Sequence, residues 1–249
     1  MKGENPRHGA AFILGGFILF VFFWQAASMF LQLKALPPPL EVCAAWPRAL
    51  EGGLPRHLAA SLGRALSGLG LALFFGLALG VPMGCCPKAD RLLGPLLYFS
   101  YPVPKLALLP VIMLLLGVGE ASKITVLVLI LVFQLILSIR DAVRAVPEED
   151  YALLTSLKAN FTDKLAHIIL PAVLPAVFSS LRVSIGIVFS ALFFTETFGT
   201  DQGLGYYVTD SQMRLDYPLM YLGILSLSLT ALILFLLVDA ADRLFCRWR

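Results

Sequence analysis

Residues 140–171 read RDAVRAVPEEDYALLTSLKANFTDKLAHIILP, and the segment from Arg140 to Lys164 is the longest hydrophilic stretch inside an otherwise apolar chain. Pro147-Glu148-Glu149-Asp150 has the form of a helix start, because proline suits the first turn and acids suit the positive helix end. Tyr151, Leu154 and Leu157 follow at three-residue spacing, so a short amphipathic helix is expected, with Asn160 turning the chain at its end. The segment is too short for a domain and too patterned for a plain connector. On periodicity alone it would be an amphipathic helix lying on a membrane surface.

The composition on either side makes the membrane setting necessary. The chain has 249 residues, of which 59% are hydrophobic and 14% charged, and its mean hydropathy is +0.85. A water-soluble domain is about half apolar and a quarter charged. Four cysteines exclude a disulfide scaffold, and most of the 16 prolines and 20 glycines lie inside apolar stretches, which excludes disorder. The net charge of +3 says little; the gaps between charges say more. None falls between Arg7 and Lys34, Arg64 and Lys88, Lys123 and Arg140, or Asp216 and Asp239. The three longest gaps can each cross roughly 30 Å of hydrocarbon at about 1.5 Å per residue, and the shorter third gap can do so with snorkelling ends. Regions 92–119 and 165–195 are interrupted only by Lys105 and Arg182. These readings predict an all-α membrane protein with six transmembrane helices. Segments that lie inside if the N-terminus is cytoplasmic hold eleven Lys and Arg against five outside, so both termini are expected in the cytoplasm. The first run exceeds the apolar core of a signal peptide and reads as a retained helix.

Three segments carry architectural information. Gly68, Ala72, Gly76, Gly80 and Gly84 place a small residue at every fourth position, a stripe that lets a second helix approach closely. Pro95, Pro102, Pro104 and Pro110 argue against an unbroken third helix and for an interior position where freed backbone groups find partners. Leu36 to Pro55, with Pro37-Pro38-Pro39 and Gly52-Gly53, reads as an external linker. The expected division is an N-terminal helix and linker over 1–56, a transmembrane core over 57–242 with an inner loop over 140–164, and a cytoplasmic tail over 243–249.

The loop also carries a resemblance. Ile168-Ile169-Leu170-Pro171 is similar to the end of the EAA loop in permease subunits of type I ATP-binding-cassette importers. That motif runs Glu-Ala-Ala, three residues, Gly, nine residues, Ile-x-Leu-Pro. Here the register puts Ala152-Leu153-Leu154 at the triplet and Lys158 at the glycine. The first half departs from the pattern, with Glu148, Glu149 and Asp150 one turn early. His57-Leu58-Ala59-Ala60-Ser61-Leu62-Gly63-Arg64, the 102–110 and 117–123 segments, and Glu196-Thr197-Phe198-Gly199 followed by Gly203-Leu204-Gly205 resemble the nitrate, sulfonate and taurine group of these permeases.

The resemblance implies a type I importer permease in a bacterial inner membrane, paired with a second permease copy, expected to be identical. Two cytoplasmic ATPases would hold ATP and Mg and dock on the loop helices. An external or periplasmic binding protein would deliver a small solute. The docking residues implied are Glu149, Asp150, Tyr151, Ala152, Leu153, Leu154, Thr155, Ser156, Leu157, Lys158, Ala159 and Asn160. No Gly-Lys dipeptide occurs in the chain, so no P-loop can be placed in it, and no cofactor is expected here.

Charges within the apolar regions are pathway candidates by default: Lys105, Arg182 and Glu196. Arg64, close to the outer end of its helix, is expected to snorkel. Lys105 reads equally as an anion-attracting cation or one half of a salt bridge. Arg182 reads as the partner of a carboxylate, and Glu196 as an anchor for Gly203-Leu204-Gly205. Two cations against one acid tilt the substrate towards an anion. His8, His57 and His167 lack metal-ligand spacing, no nucleophile elbow occurs, and nothing points to nucleic acid. Two other readings stand beside the importer. An ion-coupled secondary transporter would be expected to show an internal repeat and a mid-membrane acid, and a non-transporting membrane scaffold would need no ATPase.

Overall fold

The computed structural model describes residues 6–247. Residues 1–5 and 248–249 lie outside the description, as do the side chains at 6–14, at 17 and of Thr155. The described chain is helical throughout its ordered elements: α1 (Pro6–Leu31), α2 (Pro39–Ala44), α3 (Trp46–Glu51), α4 (Leu54–Cys85), α5 (Pro87–Ser100), a 3-10 turn (Lys105–Leu108), α6 (Leu109–Leu116), α7 (Glu120–Arg144), α8 (Glu148–Ser156), α9 (Phe161–Lys164), a π-helical turn (Leu165–Ile169), α10 (Leu170–Glu196), α11 (Leu204–Met213) and α12 (Tyr217–Phe245).

The small-residue stripe of α4 does what its spacing implies. α4 and α7 form the most extensive helix pair. Gly68 lies against Leu127, Gly76 against Leu135, Gly80 against Ile136 and Ile139, and Gly84 against Val143. The register steps regularly down α7, and α10 closes the triangle with Val188 and Leu192, both fully buried beside Leu127, Leu131 and Leu135. A methyl group on Gly80 would come within 2.9 Å of both the Ile136 carbonyl oxygen and Ile139 Cβ. Backbone cannot yield as a side-chain tip can. Gly80→Leu is therefore expected to separate α4 from α7 at a cost of about 1–3 kcal/mol or more, seen as a lowered melting temperature in detergent. Gly70→Leu, where a Cβ meets nothing within 4 Å, should melt like the parent.

Six crossings were expected. Among the described residues, four helices are long and apolar enough to cross a membrane: Leu54–Cys85, Glu120–Arg144, the continuous Phe161–Glu196, and Tyr217–Phe245. The pair Pro87–Ser100 and Lys105–Leu116, bent by 82°, is either a broken fifth span or a re-entrant loop. α1 is 26 residues long, but its apolar stretch with described side chains runs only from Ile18 to Leu31, so the sixth crossing rests partly outside the described residues.

The break in the third region falls where the prolines cluster, at Pro102 and Pro104 ahead of the 3-10 turn. Its expected interior position does not hold within one chain. Leu97, Leu109 and Ile112 are buried, whereas Leu92, Tyr98, Phe99 and Leu114 are well exposed. The prolines remove donors, and the 82° bend resolves the loss locally by ending one helix and starting another. Residues 36–55 are likewise more than a linker. Pro39 opens α2 and Pro47 lies in the first turn of α3. Val42 and Ala49 are fully buried in a small core with Leu54, Leu204, Tyr207 and Leu222, and Arg48 donates to Asp216 at 3.0 Å. Proline punctuation concealed two helix starts in what looked like a loop.

Candidate functional site

The loop that opened the reading forms α8, with Glu148, Glu149 and Asp150 in its first turn. Its two sides differ. Tyr151 packs with Ile139, Val143, Ile169 and Val173, and burial pushes its phenol up from its ordinary value. Leu153 and Leu157, by contrast, are 62% and 69% exposed, and Phe161 just beyond them 63%. Leu153, Leu154, Asp150 and Val146 line a cleft of about 890 Å³ that runs between the helix and His167, Ile168 and Pro171. Glu149, Ala152, Ser156, Lys158 and Ala159 complete the segment, with the Ser156 hydroxyl donating back to the Leu153 carbonyl at 2.7 Å.

α8 ends at Ser156, and the residue that turns the chain after it is Lys158, not Asn160. Lys158 has φ +59°, and the Ala159 N–H closes the turn on the Leu154 carbonyl at 2.9 Å. A left-handed residue followed by this six-to-one bond is the Schellman helix ending, whose left-handed position favours glycine. That is the position at which the importer motif carries glycine. A lysine pays a conformational penalty of about 1–2 kcal/mol there. Lys158→Gly is expected to raise the melting temperature by a few degrees, and a drop in melting temperature would contradict the assignment of this turn. Asn160 instead opens the next helix. Its side-chain oxygen accepts from the Asp163 N–H at 2.9 Å, and the Asp163 carboxylate accepts from the Asn160 N–H at 3.0 Å, a reciprocal cap. From there α9, the π-helical turn and α10 run as one helix of 36 residues to Glu196.

A second cluster sits at the far end of that helix. Arg64 is 3% exposed and Glu196 fully buried. The Arg64 guanidinium donates to Glu120 from Nε at 2.7 Å, and from Nη1 to Glu196 at 2.7 Å and to the Gln202 carbonyl at 2.8 Å. Glu196 also accepts from the Ser61 hydroxyl and the Gly205 N–H, both at 2.8 Å. Ser61 in turn accepts from the Leu204 N–H at 2.7 Å. Glu196 thus anchors Gly203-Leu204-Gly205. At Gly203, φ is +122° and a Cβ would sit 2.3 Å from the Glu196 carboxyl carbon, so only glycine fits. Lys123, 1% exposed, adds a contact to the Gly199 carbonyl at 3.2 Å.

Arg64 therefore does not snorkel. It ties the heads of α4 and α7 to the end of α10, because its planar fork can satisfy two carboxylates at once. Reading charges as helix boundaries hid Glu120 and Lys123 as its neighbours; the available signal was an arginine and an acid each inside an apolar run, one beside Gly-Leu-Gly. Arg182 lies elsewhere, donating to Asp239 at 3.3 Å and Asp242 at 3.0 Å on α12. Lys105, at the bend, donates to the Tyr101 carbonyl and lies over the Tyr101 and Phe133 rings. The pathway candidates Lys105, Arg182 and Glu196 thus occupy three separate places.

A bundle of long apolar helices, a short helix leading into the longest of them and a charge cluster closing its far end describe a membrane-spanning subunit. The chain belongs to the family described as binding-protein-dependent transport system inner membrane component, whose model matches residues 68–248. It is similar to the taurine transport system permease protein TauC of Escherichia coli, at 32% identity over 93% of this chain and 86% of the relative. The riboflavin transport system permease protein RibX of Chloroflexus aurantiacus is 30% identical over 93% and 87%. The putative aliphatic sulfonates transport permease protein SsuC of Bacillus subtilis is 27% identical over 86% and 78%. The fold matches the MetNI methionine ABC transporter in an inward-facing conformation, with a TM-score of 0.57 over 78% of this chain and 94% of that one, at 17% identity. The chain is an importer permease of the nitrate, sulfonate and taurine group, and ATP hydrolysis belongs to a separate chain.

Proposed function

We propose that the segment from Glu149 to Asn160 is the docking helix for a cytoplasmic ATPase, and that this permease works in a bacterial inner membrane as one of two identical copies. The two ATPases hold ATP and Mg, and a binding protein outside hands over a small solute of the sulfonate or taurine kind. The chain divides into an N-terminal helix with its outer cap over 1–56, the core over 57–242 and a tail over 243–249. One observation carries the docking assignment: Leu153 on α8 and Leu157 in the turn that ends it stand exposed, whereas Tyr151, on the opposite side of α8, is packed against the bundle. Apolar side chains at the inner mouth of a membrane protein, beside an acidic helix start, suit a partner groove. Closure of the ATPase pair would pull two such helices together and tilt the 36-residue helix they lead into.

The substrate class rests on the relatives named for taurine and sulfonates. The test is to place cysteine at Leu153 and cross-link it, in membranes holding the whole transporter, to cysteines along the groove of its ATPase. Cross-links confined to the ATPase groove and changed in yield by ATP support the docking. If the permease is recovered with no nucleotide-binding chain attached, the proposal fails.

A further inference from the structure

We infer that Lys105 forms an anion-contacting site of the translocation pathway, taking the oxyanion head of a small sulfonate or carboxylate. The inference deepens the importer reading and rests on it. The starting point is a difference among the cations inside the apolar regions. Arg64 is held by Glu120 and Glu196, and Arg182 by Asp239 and Asp242. Lys123 lies fully buried in the Arg64 cluster, on two backbone carbonyls. Among the described residues Lys105 has no carboxylate partner. Its ammonium donates to the Tyr101 carbonyl and stands 5.5 Å from the Tyr101 ring centroid and 5.0 Å from that of Phe133. A carbonyl and two ring faces orient an ammonium without neutralising it, and an ammonium has three donors, of which one is used.

Depth makes this charge informative. Lys105 lines a cleft of about 550 Å³ with Ile130 of α7, Gly186, Ser190 and Phe194 of α10, and Pro104. Ile130 lies ten residues from Glu120 at one end of α7 and fourteen from Arg144 at the other, so the cleft is about 15 Å from one end of that helix and about 21 Å from the other. A lysine side chain cannot snorkel that far. A charge at such depth faces a partner or a water-filled cavity, since lipid is the costly alternative. Ser190 and Gly186 are exposed on the same side, and the rest of the wall is apolar, with Leu106, Ile187 and Ala191, so Lys105 is the one charged residue that lines the cleft. The 82° bend supplies the reason for the position: Tyr101 ends α5 and frees the carbonyl that fixes the ammonium.

The experiment uses the assembled transporter in membranes, with Cys43, Cys85 and Cys86 changed to serine and Ser190→Cys added. Reaction of that thiol with the anionic sulfonate reagent (2-sulfonatoethyl) methanethiosulfonate is compared with its cationic trimethylammonium counterpart. The anionic-to-cationic rate ratio is expected to fall about tenfold when Lys105 is changed to glutamine, and to survive Lys105→Arg, as one unit charge beside the thiol requires. Gly186→Cys, where an added Cβ meets nothing within 4 Å, serves as a second reporter. An unchanged ratio at both positions, or no reaction at either from both sides of the membrane, overturns the site. The reagents read the cleft whether or not an ATPase is bound. Loss of ATPase co-purification from the parent chain would count against the importer reading, while the ratio decides on Lys105.

Discussion

Arg64→Ala is expected to remove most of the folded protein from the membrane fraction, and what remains should melt well below the parent. The charge leaves behind Glu196, fully buried, with only the Ser61 hydroxyl and the Gly205 N–H to hold it. Removing one partner of a buried pair costs about 3–5 kcal/mol, because the other charge stays desolvated and uncompensated. That is a large part of the stability of an ordinary domain. Arg64→Lys should recover little, since an ammonium is a point donor and cannot reach Glu120 and Glu196 as a fork does. Arg64→Ala combined with Glu196→Gln should recover more than either change alone, because the second substitution removes the stranded charge. The readout is monodispersity and melting temperature of detergent-extracted protein by size-exclusion chromatography. A normal yield and melting point for Arg64→Ala would show that the cluster is ornamental. The same logic makes Glu196 an anchor at the outer end of the long helix, distinct from a group that meets substrate in passing.

What could be read from the sequence divides by range of interaction. Periodic features survive in one dimension. The glycine stripe gave a close helix approach along α4, though not that the partner is α7, the proline cluster gave the break, and the spacing of Tyr151, Leu154 and Leu157 gave a short helix. Features set by partners far along the chain did not show. Arg64 and Glu196 are separated by 132 residues, and nothing local tells a snorkelling arginine from one that meets two acids. Lys123 looked like the end of a span and is fully buried instead, for the same reason. Lys158 lies between these cases. The family pattern expects glycine there, the residue departs from it, and the backbone still adopts the left-handed turn. The turn is imposed by the helix that ends before it and the Asn160 cap that starts after it, so the fold keeps the conformation that the residue disfavours.

The second large effect is expected at Leu157. It is 69% exposed in this chain and enters the helix ending through its backbone N–H, which bonds the Leu153 carbonyl, and substitutions of such exposed side chains shift stability by about 0.5 kcal/mol or less. Leu157→Glu should therefore fold, insert and melt like the parent. Its effect should fall on the ATPase instead. A leucine seated in a partner groove contributes about 1.5–3 kcal/mol by burial alone, and a carboxylate in its place adds desolvation and repulsion from any acid lining the groove. A loss of about 2–4 kcal/mol corresponds to roughly 30-fold to 1,000-fold weaker docking. Leu154→Glu, at a half-buried position on the cleft wall behind the helix, should perturb the permease itself and lower its melting point. Leu153→Glu should weaken docking and also lower the melting point somewhat, since Leu153 is exposed yet lines the same cleft. Leu157, which does not line that cleft, is the position that separates docking from folding. Co-purified ATPase and uptake into proteoliposomes are the measurements. If Leu157→Glu retains ATPase within threefold of the parent, the exposed side of α8 is not the docking side, and force must enter the long helix elsewhere. If docking fails while the melting point holds, α8 acts as the handle of a helix of 36 residues, about 54 Å long at 1.5 Å per residue. The far end of that helix is the carboxylate that Arg64 holds. A tilt applied at the inner end must then either carry the outer charge cluster with it or strain it, which is how a soluble ATPase can act on the outer mouth of a pore it never touches.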